Sequence, residues 1–141
     1  QACRLYLAQK TATGVGWLYA LREPQISIAI EAIHRRPAHP WTLDELARLA
    51  VMSRSTFARR FRERVGDTPI AYLARWRMLL ATRRLIDSRD TLSEIALSLG
   101  YDSENAFNTA FKRIMGCSPR RYSQVEPALT GTCSATIRMR L

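Results

Sequence analysis

Two stretches of this chain repeat one another in register, and that duplication limits the fold more than any other feature. Thr42-Leu-Asp-Glu45 and Thr91-Leu-Ser-Glu94 are both capping boxes. In each, the threonine side chain accepts from the backbone N–H three residues on, and the glutamate reaches back to the threonine N–H. Leu43, Leu46 and Ala47 recur as Leu92, Ile95 and Ala96, at an offset of 49 (42 to 91). Ser53, Phe57, Phe61, Gly66, Pro69 and Tyr72 recur as Ser103, Phe107, Phe111, Gly116, Pro119 and Tyr122, at an offset of 50 (53 to 103). One residue is therefore inserted in the second turn. Ser53 and Ser103 suit helix N-caps, and Gly66 and Gly116 suit left-handed C-caps. Each half reads as a capped helix, a short turn and a second capped helix, which is a helix-turn-helix unit.

The remaining pattern is helical throughout. Pro24 opens a helix to about Arg35 with Ile26, Ile30 and Ile33 on one face, and Pro37 and Pro40 stop it. The first capping box starts a helix over 43–50. Trp41, just before it, suits a hydrophobic staple. Pro69 starts the longest helix, to about Asp87, with Tyr72, Leu73, Trp76, Leu79, Leu80 and Leu85 as its apolar stripe. At about 1.5 Å per residue it spans roughly 28 Å. Helices ending at Gly100 and near Met115 follow, then a short one from Pro119 through Tyr122. No stretch has strand alternation, so the fold class is all-α. Residues 1–22 suggest two short helical pieces or a docked linker. Thr130, Gly131, Thr132, Ser134 and Thr136 break the pattern in residues 124–141, where a disordered or loosely docked tail is expected.

Charge narrows the partner. The 141 residues carry 22 Lys plus Arg against 12 Asp plus Glu, a formal net charge of +10, and lysine occurs only at Lys10 and Lys112. Guanidinium groups favour forked contacts to phosphate and guanine, so nucleic acid leads, with a merely solvated basic surface as the alternative. The apolar fraction of 47% supports a folded core. Cys3, Cys117 and Cys133 have no metal-ligand or redox spacing and read as reduced thiols of a cytoplasmic protein. His34 and His39 have no carboxylate or cysteine cluster beside them, so no metal and no cofactor is expected. No Ser-His-Asp set, paired carboxylates or phosphate loop is present, which argues against an enzyme. No apolar run approaches the roughly 20 residues of a membrane span, and Arg22 and Glu23 follow the N-terminal apolar stretch too closely for a signal peptide.

Ser53 to Gly66 carries the sharpest contrast. At about 100° per residue, Phe57 and Phe61 share one face. Ser55, Arg59 and Arg62 fall on the opposite face, with Arg54 and Arg60 on its flanks. An aromatic inner face and an arginine-rich outer face call for either a polyanion or bulk water outside.

The second half carries motifs specific enough to suggest a family. Ile95-Ala96, Gly100-Tyr101, Ser103, Phe107, Phe111-Lys112, Gly116, Ser118-Pro119 and Tyr122 resemble the DNA-binding domain of the AraC/XylS family of bacterial transcriptional regulators. Ala71-Tyr-Leu-Ala-Arg-Trp-Arg-Met78 is similar to that family's connecting helix, and the resemblance runs from about Ile26 to Tyr122. It implies about seven helices in two homeodomain-like three-helical units, joined by the long helix. The domain would cover 25–123, with the first helix-turn-helix over 42–66, the connecting helix over 69–87 and the second helix-turn-helix over 91–116. Residues 1–24 would be a linker or the end of a preceding regulatory domain. The resemblance also implies double-stranded promoter DNA as partner, with the two recognition helices in successive major grooves. Family members usually activate transcription through RNA polymerase. Many carry a separate N-terminal domain that binds a small-molecule effector and forms a homodimer. Cytoplasmic, nucleoid-associated localisation follows.

The family's base-contact positions map onto Ser55, Ala58 and Arg59. Arg59 suits guanine O6 and N7, and Ala58 suits a thymine methyl or nothing. Arg54, Arg60, Arg62 and Arg64 suit phosphates or water. In the second helix Asn105, Thr109 and Lys112 point outward, flanked by Glu104, Asn108 and Arg113. Asn105 suits adenine. Glu104 suits cytosine N4, or simply the positive helix N-terminus. The base-facing set is thus Ser55, Ala58, Arg59, Glu104, Asn105, Asn108 and Thr109. The phosphate-facing set is Arg54, Arg60, Arg62, Lys112, Arg113 and Arg121, with Arg120 and Arg121 divided between phosphate and solvent. Successive grooves on one face lie about 34 Å apart, a distance a helix of roughly 28 Å plus packing at each end can set. The other reading is a basic helical module for RNA or another polyanion.

Overall fold

The computed structural model describes residues 23–124. Within them lie seven helices and no strand: α1 (Pro24–Arg35), α2 (Leu43–Leu49), α3 (Arg54–Val65), α4 (Pro69–Asp87), α5 (Leu92–Ser98), α6 (Glu104–Met115) and α7 (Pro119–Gln124). The pieces expected over 1–22 and the tail beyond Gln124 lie outside the described residues. The chain forms two compact units. The described part of the first is 23–36 and 41–72, and that of the second is 37–40 and 73–124.

In the first unit α1, α2 and α3 pack on one another. Ile26, Ala29 and Ile33 of α1 are buried at i, i+3 and i+7, so Ala29 takes the central place expected for Ile30, which is half-buried. Leu46 and Ala47 of α2 and Ala50 just past its end are buried as well, and Phe57 and Phe61 from α3 are fully buried. Burying each such ring contributes about 1.5–3 kcal/mol. Their centroids are 5.6 Å apart, and Tyr72 meets Phe61 edge-on at 5.8 Å.

The second unit repeats this. Phe107 and Phe111 are fully buried with centroids 5.6 Å apart, and Tyr122 meets Phe111 edge-on at 5.7 Å. Met78, Ala81, Ile95, Ala96 and Leu99 complete that core. Both capping boxes form, with Thr42 N and Thr91 N donating to Glu45 and Glu94 at 2.9 and 2.7 Å. Ser53 and Ser103 cap α3 and α6, and Gly66 and Gly116 close them at φ +84° and +81°.

The turns match as well. Met52 N donates to Ala47 O, and Tyr101 N donates to Ala96 O, each at 3.0 Å. Both turns hold the preceding residue in the left-handed region: Val51 at φ +54° and Gly100 at φ +81°. This is the Schellman ending. The extra residue of the second turn is Asp102, which falls after this shared closure.

The stripe expected on α4 is displaced. Leu73, Met78 and Ala81 are its deepest apolar residues, whereas Trp76, Leu79, Leu80 and Leu85 are half-buried. Met78 and Ala81 are drawn inward by packing on Ile95, Ala96, Leu99, Phe107 and Phe111, a choice of face that periodicity along α4 alone does not set. Thr82 is buried too, its hydroxyl donating to Leu79 O at 2.8 Å.

Candidate nucleic-acid interface

The outer face of α3 is held in place by what its inner face buries. With Phe57 and Phe61 fixed inward, Ser55, Arg59 and Arg62 are exposed on the far side, Arg54 and Arg60 are exposed on the flanks, and Ala58 is half-buried. The helix carries five arginines (54, 59, 60, 62 and 64) against Glu63 alone. Two of them rest near carboxylates: Arg54 lies 3.7 Å from Asp44 of α2, and Arg59 lies 3.8 Å from Glu63 one turn on. At these exposures such pairs are weak and exchangeable for a stronger anion. Arg60 and Arg62 have no ion pair among the described residues. Arg64 differs, because its Nε and Nη2 donate to Glu23 at 3.3 and 3.0 Å. That contact fastens α3 to the start of α1 and takes Arg64 out of the outward set.

The first unit also holds a titratable pair behind this face. His34 Nε2 lies 2.7 Å from the Tyr72 hydroxyl, and the rings stack with centroids 5.8 Å apart. Desolvation in this packing lowers the His34 pKa below its ordinary 6.5 and pushes Tyr72 up to about 12. Both are therefore neutral near pH 7, with the hydroxyl able to donate to the imidazole.

In the second unit α6 presents a different chemistry. Asn105, Thr109, Lys112 and Arg113 are exposed and Asn108 is half-buried. The helix carries two cations against the carboxylate of Glu104. The Glu104 carboxylate accepts from Ser93 Oγ of α5 at 2.8 Å, which ties the two helices of the pair together. Thr109 donates its hydroxyl proton to Asn105 O at 2.9 Å, leaving its methyl and lone pairs outward. Glu104, Asn108, Thr109, Lys112 and Arg120 line one open depression. Arg121 is exposed but outside that lining, and Ser118 caps α7 by accepting from Arg121 N at 3.3 Å.

Each unit thus brings most of its own candidate residues to one helix face, Arg121 on α7 being apart. The counter-ions Asp44 and Glu63 and the Ser93 tie were not foreseen. The Arg59–Glu63 spacing of four was legible as an i,i+4 pair. The Ser93–Glu104 bond joins residues on separate helices and left no such mark. Among the described residues no three His, Cys, Asp or Glu side chains converge as a metal site would need, and no helix is long and apolar enough to cross a membrane. Cys117 is buried and forms no disulfide among the described residues.

Comparison with known proteins agrees with this architecture. A sequence profile described as a helix-turn-helix domain matches residues 46–124. A protein of Streptomyces lividans described as an AraC-like transcription regulator is 45% identical over 119 residues, covering 84% of this chain and 39% of that protein. The HTH-type transcriptional regulator AlkR of Acinetobacter baylyi is 46% identical over 108 residues, covering 77% of this chain and 35% of that protein. The chain thus spans about two fifths of the length of these relatives. Among solved structures, the DNA-binding domain of AdpA, a global transcriptional factor in complex with a target DNA, superposes with a TM-score of 0.65 at 34% identity, covering 72% of this chain and 90% of that one. The family is one of DNA-binding regulators, not of enzymes. By its duplicated helix pairs, its profile match and these relatives, the chain belongs to the AraC-type family of helix-turn-helix DNA-binding transcription regulators.

Proposed function

We propose that this chain binds double-stranded promoter DNA sequence-specifically, inserting α3 and α6 into successive major grooves, and that it activates transcription. The observation that carries the reading is the duplication of an outward polar helix face on a buried phenylalanine pair. A module that only neutralised a polyanion needs charge, not two matched presentation frames. In this reading Ser55, Ala58 and Arg59 face bases from α3, and Asn105, Asn108 and Thr109 face them from α6. Arg54, Arg60, Arg62, Lys112, Arg113 and Arg121 hold phosphates. Arg120 joins them, since it shares the depression with Lys112. Glu104, already bonded to Ser93, frames the start of α6, and its free lone pairs suit cytosine N4.

Contact with RNA polymerase, control by an effector-binding domain elsewhere in a longer protein, dimerisation through that domain, and work at the nucleoid in the cytoplasm follow from family resemblance. The AdpA domain supports DNA as the ligand, because that domain was solved on its target. Competition between a selected duplex and total RNA in a filter-binding assay tests the reading. Retention of the duplex against a large RNA excess is expected. Equal displacement by RNA would favour a general polyanion module instead.

A further inference from the structure

The second unit is not continuous in sequence. It takes in residues 37–40, from the connection between α1 and α2. The two ends of that connection are closed on each other in the first unit. Trp41 Nε1 donates to Arg36 O at 3.0 Å, and the Arg36 guanidinium lies 5.0 Å from the Trp41 ring centre. The four residues between them, Pro37, Ala38, His39 and Pro40, leave as a short excursion. Two prolines in four residues reduce the entropy lost in ordering it.

Within the second unit, two residues that meet the excursion bear on its role. Arg77 of α4 forks onto it, Nε donating to Pro37 O at 2.6 Å and Nη2 donating to His39 O at 3.0 Å. The same guanidinium lies 5.4 Å from the ring centre of Tyr101. Tyr101 in turn packs edge-on against Phe107 of α6 at 5.6 Å. The second residue is Gly100, where an added Cβ would stand 2.2 Å from Ala38 O.

The duplication supplies an internal control. Val51 occupies the same place in the first turn, with the same closing hydrogen bonds and a left-handed backbone, and the residue is 82% exposed. The turn conformation therefore admits a β-branched side chain, at some strain. Glycine at 100 is demanded by the backbone that lies against it.

We propose that residues 37–40 are a strap that completes the second helix-turn-helix pair. Arg77 is then a positioning residue, passing the strap's hold through Tyr101 to Phe107 and so setting how α6 presents Asn105 and Thr109. The last step rests on the DNA-reading function proposed above. Lysine cannot replace Arg77 fully, because it lacks the planar fork that serves two carbonyls while covering an aromatic face.

The test uses the full chain with Arg77→Lys and the matched pair Gly100→Asn and Val51→Asn, asparagine being tolerant of the left-handed region. Hydrogen–deuterium exchange is read over 104–115 and 54–65, at a temperature where circular dichroism shows every variant folded. Arg77→Lys should speed exchange in the first turns of α6 roughly tenfold, the scale of one lost charge-assisted hydrogen bond, and leave α3 unchanged. Gly100→Asn should do the same, and Val51→Asn should not disturb either helix. Equal acceleration of α3 and α6, or equal behaviour of the two asparagine variants, would overturn the strap. On a selected duplex, Arg77→Lys should lose the protected patch that Asn105→Ala also loses, and keep the patch that depends on Arg59. Retention of both patches would overturn the positioning role. Should the wild-type chain protect no duplex, the DNA reading fails and the exchange data still decide the strap.

Discussion

At the scale of single residues, the proposed interface divides its side chains into a set expected to discriminate and a set expected to hold. Arg59 sits at the centre of the outward face of α3, opposite Phe57 and Phe61, with only an exposed Glu63 to leave. Arg59→Ala should cost about 1–3 kcal/mol and relax preference at one base pair, measured across a set of single-substitution duplexes. A loss equal on all sequences would make it a phosphate contact. Arg62, exposed and without an ion pair among the described residues, should behave in that second way. Arg62→Ala should weaken every duplex alike and lower the salt slope by about one unit. His34 gives a prediction about the fold. Its folded pKa lies below the unfolded value, so below about pH 6.5 the unfolded chain binds more protons and stability falls as pH falls. Its contribution is complete above that pH. Denaturation midpoints between pH 7.5 and 5.5 should decline in the wild-type chain and less steeply in His34→Gln, with identical slopes counting against the pair.

At the scale of elements, most of the fold was legible because its signals are local. A capping box, a serine N-cap and a C-terminal glycine are each satisfied within one helical turn, so Thr42, Ser53, Gly66, Thr91, Ser103 and Gly116 marked their helix ends correctly. The two boxes have the same geometry. Thr42→Ala and Thr91→Ala should therefore each destabilise by about 1 kcal/mol in chemical denaturation. A cost confined to one of them would break the equivalence of the two halves. What escaped was non-local. The depth of Met78 and Ala81 depends on the residues of α5 and α6 they pack against, far along the chain. The burial of Ala29 in place of Ile30 is a choice among packing options that periodicity leaves open. The candidate site shows the same division. The helix faces followed from spacing, and the removal of Arg64 by Glu23 and the tying of Glu104 by Ser93 needed residues brought from elsewhere in the chain.

At the scale of the whole molecule, the two presenting helices are chemically unequal. Four outward arginines against one glutamate on α3 favour electrostatic hold, whereas α6, with two cations against one carboxylate, carries amides and a hydroxyl suited to discrimination. In the proposed function, two modest readers in one chain would gain from each other through effective concentration if both engage at once. The central claim is therefore that both halves read DNA. Its most direct test is selection of genomic fragments with this chain, followed by hydroxyl-radical footprinting of the enriched duplex. Two protected patches about one helical turn apart, one lost in Arg59→Ala and the other in Asn105→Ala, are the predicted result. A single protected patch, unaffected by one of those substitutions, would contradict it.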